Sequence, residues 1–176
     1  EIAEPDRGLE EYIASFKEVV DRKYNTVISK FARALGHPRR EVETELGNLV
    51  ADAMATSLQT DVMLQGSGAI RFKSLGPLVT LGELVACFPF DEALTRFTVT
   101  GAQLKRIFAH IMRPENRDGE GECYQVNQGV RAVYCNAERR LESLQVHDEP
   151  VQEERKYTLC ISSYHEKNAA AFLGVS

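Results

Sequence analysis

Asp61-Val62-Met63-Leu64 is a short apolar run of the kind that forms a buried strand, and it breaks at once into Gly66-Ser67-Gly68. The strand must end in a tight turn. Gly66 and Gly68 leave the backbone free to take positive φ angles and to approach a partner closely, while Arg71 offers a planar, permanently charged fork for an anion. Gly66, Ser67, Gly68 and Arg71 are therefore a candidate ligand cradle. Taken alone they also describe a glycine turn with a surface arginine, since short Gly-x-Gly turns are common. The residues before the turn read as its support and those after it as the rest of a pocket.

A chain of 176 residues that is 43% apolar is long enough for one domain with a substantial core. Its formal charge is -5, and no run of Lys or Arg is long enough to track a phosphate backbone, which argues against nucleic acid as a partner. No apolar stretch approaches the roughly 20 residues of a membrane span, and Glu1 to Asp6 have none of the parts of a secretion signal. A signal cleaved from a longer precursor would leave no trace, so the compartment stays open. Cys87, Cys123, Cys135 and Cys160 are widely spaced and do not spell a zinc site. Cys87, Cys135 and Cys160 sit in apolar runs and are expected as buried thiols, with one or two disulfides as the other possibility.

Along the chain, Asp6 can cap a helix whose apolar residues Leu9, Tyr12, Ile13, Phe16, Val19 and Val20 recur at steps of three and four, the period of a helix burying one stripe. Thr26 to Leu35 suits a helix or an irregular strand equally, and Gly36-His37-Pro38 is a break. Thr44 is the expected cap of a second helix with Leu46, Leu49, Val50, Ala53 and Met54 on one face. Gly47 lies in its first turn, where a good helix former would be worth about 1 kcal/mol more, so something packs closely there. Leu78-Val79 is extended. Thr80 with Glu83 and Thr100 with Gln103 spell capping boxes that open a third and a fourth helix. Pro89 closes the third and leaves Phe90 in a loop beside Asp91 and Glu92, before a strand from Leu94 to Val99. The fourth carries Leu104, Ile107, Phe108 and Ile111. Pro114 to Glu122 reads as a loop, and strands are expected around Val130 to Tyr134, Leu141 to Val146 and Tyr157 to Ile161. Four helices mixed with about six short strands imply a single α+β domain built in layers.

The succession Glu43-Thr44-Glu45-Leu46-Gly47-Asn48-Leu49-Val50-Ala51-Asp52-Ala53-Met54, Leu64-Gln65-Gly66-Ser67-Gly68-Ala69-Ile70-Arg71, Phe88-Pro89-Phe90 and Thr100-Gly101-Ala102-Gln103-Leu104-Lys105 resembles the C-terminal domain of the 5'-nucleotidase family. That family includes UDP-sugar hydrolases and 2',3'-cyclic-nucleotide phosphodiesterases. The resemblance implies a division of labour. An N-terminal metallophosphoesterase domain, absent from residues 1–176, holds two divalent metal ions and hydrolyses the ester, while the C-terminal domain binds base and sugar. This chain is then expected to hold no metal and to lack catalysis by itself, and its four histidines, His37, His110, His147 and His165, are scattered singly. The resemblance implies a nucleotide or related phosphorylated small molecule as ligand and a location outside the cytoplasm.

In the family the base lies between two aromatic rings, which Phe90 and Phe172 resemble, and Arg71 matches the arginine that closes a glycine-rich nucleotide-binding motif. Read alone, both phenylalanines would be core residues. The sequence also departs from the family pattern. Val42 stands where an arginine is usual, with Arg39 and Arg40 nearby, and Gly66 stands where an asparagine amide is usual. Asp91-Glu92 follow Phe90 in place of glycine, and Asn168-Ala169-Ala170-Ala171 replace Gly-Gly-Asp-Gly before Phe172. Alanine resists positive φ, so the loop carrying Phe172 is expected to take another course. These losses leave a second possibility, a degenerate domain with a structural or dimerising role.

Overall fold

The computed structural model describes residues 6–118 and 122–175. Its four longer helices start where side-chain oxygens satisfy unpaired N–H groups. Asp6 accepts from the Gly8 and Leu9 N–H groups at the head of α1 (Arg7–Tyr24), and Thr44 accepts from the Gly47 N–H at the head of α2 (Glu45–Leu58). Both capping boxes are complete, Thr80 with Glu83 opening α3 (Leu81–Cys87) and Thr100 with Gln103 opening α4 (Gly101–Ile111). Three further helices of four or five residues follow: α5 (Pro114–Arg117), α6 (Ser163–Lys167) and α7 (Ala169–Phe172).

Strands β1 (Val27–Lys30) and β2 (Leu35–Gly36) resolve the segment that suited helix and strand equally. What decides is pairing: β1 runs antiparallel to β5 (Leu78–Thr80), and β2 antiparallel to β4 (Ser74–Leu75). The central sheet is β3 (Val62–Gly66) flanked by β11 (Lys156–Ser162) and β7 (Tyr124–Val126), with β6 (Leu94–Thr100) outside β11. β3 is parallel to β11 and antiparallel to β7, and every one of its residues is buried, which accounts for its unbroken apolar run. Its side chains alternate between two cores. Val62 and Leu64 join Leu104, Ile107 and Phe108 of α4, while Met63 joins Ala51 and Ala55 of α2. β8 (Arg131–Cys135), β9 (Arg140–Val146) and β10 (Glu149–Pro150) form an antiparallel sheet that adds Leu144 and Val146 to the α4 core.

The layered α+β arrangement is as expected, with several local corrections. Pro114 to Arg117 is a helical turn begun by a proline at its first position, and the residues after Asn168 form α7. Single turns carry no periodicity for a sequence pattern to reveal. β7 leaves no signal in the sequence, because three residues are too few to show alternation. In α2 the buried row is Leu46, Gly47, Ala51 and Ala55, while Leu49 stays exposed, since the helix lies close enough to the sheet that small residues make the contact. The apolar stripe of α1 is not buried. All four cysteines are free thiols; Cys87, Cys123 and Cys160 are buried, and Cys135 is only half-buried.

Asp61 ties the start of β3 to β11. Its carboxylate accepts from the Thr158 N–H and hydroxyl, both at 2.7 Å, and pairs with His147 Nε2 at 2.8 Å. Burial would raise this carboxyl, but the Thr158 N–H, His147 and the Thr158 hydroxyl hold it below its ordinary value. His37, buried with Nδ1 at 2.8 Å from the Thr44 hydroxyl, is lowered by burial first and by Arg40 as well, against a raising contact with the Ser67 backbone. Both groups therefore bind protons more readily in the unfolded chain, so stability falls as the pH falls. The loss should begin below the ordinary histidine value of 6.5 and resume below the aspartate value of 3.8. Urea midpoints measured from pH 8 downwards should show it, and His37→Gln should flatten the first step. A profile unchanged by that substitution would assign the step to another group.

Candidate functional site

The site grows from the end of β3. Gly66 leads into a 3-10 turn, Ser67–Ala69, with φ of -61° at Gly66. Neither Gly66 nor Gly68 has a positive φ; among the described glycines only Gly76, Gly129 and Gly174 do, which corrects the reading of this turn. The glycines serve close approach instead. A β-carbon on Gly66 would lie 2.5 Å from Cε1 of His165, and one on Gly68 would lie 3.0 Å from both the Arg40 guanidinium and the Glu122 carboxylate. Ser67 is fully buried, with its N–H donating to the Cys123 carbonyl and its hydroxyl accepting from Gln125, so it faces the interior rather than a ligand.

Gln125 of β7 is the hub of this interior. Its Oε1 accepts from the Thr44 N–H at 2.8 Å, and its Nε2 donates to the Val42 carbonyl at 2.9 Å and to Ser67 Oγ at 2.5 Å. It also fills the space over Gly47, which is the close neighbour that the glycine implied. One amide thus fastens the head of α2, the loop before it and the glycine turn. Nothing local to Gln125 reveals this role, because its partners are remote in sequence.

On the solvent side, Arg71 Nη1 donates to the Gly68 carbonyl at 3.1 Å, and its guanidinium stands 5.7 Å from the centre of the Phe90 ring, within reach of a cation–π contact. The Arg71 N–H donates to the Cys87 carbonyl, so the end of α3 sets the distance between turn and phenylalanine loop. Phe90 is 50% exposed. Phe172 lies in α7, half-buried on the α4 core, with its ring 4.9 Å from His165 and 5.6 Å from Tyr164. A chain of contacts therefore joins Phe90, Arg71, Gly68, Glu122, His165 and Phe172. Phe90 and Arg71 meet directly, whereas Phe172 reaches the turn only through His165.

The departures from the family pattern have structural counterparts. Where the asparagine side chain would be, the buried His165 ring fills the space beside Gly66, held edge-on by Tyr124, Tyr164 and Phe172. Val42 turns its carbonyl to Gln125, and Arg40 brings a guanidinium to Gly68, 3.3 Å from Glu122. Glu122 in turn accepts from the Gly68 N–H at 2.8 Å and lies 3.8 Å from His165 Nε2. The Tyr124 hydroxyl and His165 Nε2 are buried without a hydrogen bond, and burial pushes the Tyr124 phenol strongly up. The three alanines before Phe172 make a helical turn, and His110 Nε2 is 3.0 Å from the Ala171 carbonyl. His165, Glu122 and Arg40 thus crowd the glycine turn, and of these only Arg40 is recognisable from sequence.

Among the described residues no three His, Cys, Asp or Glu side chains converge as a metal group. A cleft of about 870 Å³ opens elsewhere, between α2, α4 and the segment from Cys123 to Ala132, and none of the sequence-predicted site residues lines it.

Comparison with known proteins agrees with this construction. The sequence model of the family described as 5'-nucleotidase, C-terminal domain, matches residues 22–173. The endonuclease YhcR of Bacillus subtilis is 28% identical over 112 residues, which are 63% of this chain and 9% of that protein. Among solved structures, the 5'-nucleotidase precursor of Thermus thermophilus superposes with a TM-score of 0.70 at 22% identity, over 97% of this chain and 36% of its own. The NAD nucleotidase of Haemophilus influenzae gives 0.71 at 18% over 97% and 34%, and the sulfate thiohydrolase SoxB of Thermus thermophilus gives 0.68 at 18% over 92% and 31%. The chain spans about a third of these structures, and at such identities the likeness concerns the fold. Those longer proteins are hydrolases by name. The family match begins at the end of α1 and takes in every later element through α7, so the chain belongs to the family of 5'-nucleotidase C-terminal domains.

Proposed function

We propose that this chain is the substrate-recognising domain of a 5'-nucleotidase-like phosphoric ester hydrolase. The observation that carries this reading is the pair formed by Arg71 and the exposed Phe90 at the mouth of the glycine turn, a cation and an open aromatic face side by side. A base stacks on the ring, and the guanidinium takes the sugar or phosphate side of the ligand. Phe172 supplies the second ring from the opposite wall. Hydrolysis belongs to an N-terminal metallophosphoesterase domain with two divalent metal ions, and a location outside the cytoplasm goes with this reading, one neighbour being described as a precursor. The ligand is a nucleotide or related phosphorylated small molecule, in a site adapted away from ordinary nucleoside monophosphates, which therefore serve as weak probes of its base-stacking half. Support comes from the loss of the asparagine amide at Gly66 and from the fact that the same fold occurs in a protein named a thiohydrolase.

Titration of the chain with adenosine, uridine and their monophosphates, followed by amide NMR shifts, tests the reading. Binding should be weak, in the millimolar range, and Phe90→Ala should weaken it about tenfold, since a stacked base is worth roughly 1 to 3 kcal/mol. Shifts near Phe90 and Arg71 that vanish in the variant support the proposal. No shift there at millimolar ligand would sink nucleoside recognition.

A structural role is the second reading, and one observation favours it. His165 occupies the place of the asparagine, and Glu122 already engages the Gly68 N–H, so the inner part of the turn is filled by the protein itself.

A further inference from the structure

Outside α1, two aromatic side chains of the described residues stand half in solvent, Phe90 at 50% and Tyr164 at 51%. Both lie inside the stretch that the family model matches. Phe90 already belongs to the candidate site, and the strand registers bring Tyr164 to the same place. β3 and β11 run parallel with Leu64 level with Ile161, so continuing the register sets Ser163 level with Gly66 and Tyr164 with Ser67, where β3 ends in the glycine turn. On the other side β6 runs antiparallel to β11, with Ser162 opposite Leu94, and the Ser163 N–H donates to the Ala93 carbonyl at 2.8 Å. The same register sets Tyr164 opposite Glu92, two residues beyond Phe90. The start of α6 therefore sits between the glycine turn and the phenylalanine loop, with about one strand spacing, roughly 4.8 Å, to either side.

Local bonds turn Tyr164 outward. The Ser162 hydroxyl accepts from the His165 N–H at 3.4 Å, the Thr95 hydroxyl donates to Glu166 at 2.6 Å, and the Asn168 amide donates to the Tyr164 carbonyl at 2.8 Å. His165 is buried beside Gly66, so the residue before it, about 100° round the helical turn, points out of the core. The Tyr164 ring leans on His165 at 5.4 Å and on Phe172 at 5.6 Å, which hold it without covering it. Its hydroxyl makes no hydrogen bond to another of the described residues. A ring already held by its neighbours gives up little freedom when a ligand arrives, and a phenol offers an apolar face and a polar tip together.

We propose that Tyr164 is a ligand-contacting, specificity-determining residue of this site, its hydroxyl sharing a hydrogen bond with the polar edge of the base that Phe90 and Phe172 stack. Stacking tolerates any base, whereas a hydrogen bond to the base edge depends on which groups that edge carries. The inference rests on the nucleotide-recognising role proposed above.

Tyr164→Phe is the test, because it deletes one oxygen and leaves the ring against His165 and Phe172. Thermal unfolding should be unchanged. In amide NMR titrations with adenosine and with uridine, residues 162–167 should shift together with those near Phe90 and give the same dissociation constant. The substitution should raise that constant about threefold to tenfold for the nucleoside bound more tightly, the worth of one hydrogen bond, and bring the two nucleosides closer together. Binding that Phe90→Ala weakens but Tyr164→Phe leaves unchanged for both nucleosides overturns the inference while the base-stacking reading stands. A lowered unfolding temperature in Tyr164→Phe makes the hydroxyl structural and overturns it as well. No shift at either segment overturns both.

Discussion

Gln125→Leu is expected to lower the unfolding free energy by about 3 kcal/mol or more, out of the roughly 5 to 15 kcal/mol that holds an ordinary domain together. Leucine fills nearly the same volume, so packing over Gly47 is largely kept. What is lost are hydrogen bonds to the Thr44 N–H, the Val42 carbonyl and the Ser67 hydroxyl, in a place with no access for water, since Gln125 has no exposed surface. Each buried group left unpaired costs about 1 to 3 kcal/mol, and the loss is shared by three segments that this one amide joins. Urea unfolding followed by circular dichroism measures it. A loss below about 1 kcal/mol would mean that these groups find other partners and that the hub is not the anchor of the turn.

Gly66→Asn restores the residue usual in the family and should nevertheless destabilise this chain, by about 1 to 3 kcal/mol. The reason is the His165 ring, which occupies the side-chain space at Gly66 and is itself boxed in by Tyr124, Tyr164 and Phe172. His165→Ala should also destabilise by leaving a hole among those rings. Combined, the two substitutions should cost clearly less than their sum, with a coupling of about 1 kcal/mol or more. Strict additivity would show that the ring yields freely and that His165 is no replacement for the asparagine. The double variant also carries an amide at the turn, so its nucleoside affinity reports whether that amide was the missing recognition element.

Local signals in this chain were reliable because they act over three or four residues. The Thr80–Glu83 and Thr100–Gln103 boxes, the Asp6 and Thr44 caps and the run from Val62 to Leu64 each place their element by hydrogen bonds or burial that the element itself supplies. Gly47 announced a close neighbour without naming it. The short helices α5, α6 and α7 and strand β7 were hidden, because a turn or three residues cannot display a period.

For the site, sequence reading supplied Arg71 and Phe90, which meet across the turn, and Phe172, which belongs to a different wall. It did not supply Glu122, His165 or Gln125. Those three reach the glycine turn from 54 or more residues away in sequence, or from the far end of the sheet, and no pattern of neighbours betrays such a contact.

The amino-acid sequence by itself determined the layered α+β fold, the family, the start of each long helix and the amphipathic character of α1. Only the tertiary structure decided that the stripe of α1 faces solvent, that Gly66 and Gly68 are small because His165, Arg40 and Glu122 crowd them, and that Gln125 pins the turn. Periodicity and capping are properties of a few adjacent residues, whereas which face finds a partner depends on how separate elements meet.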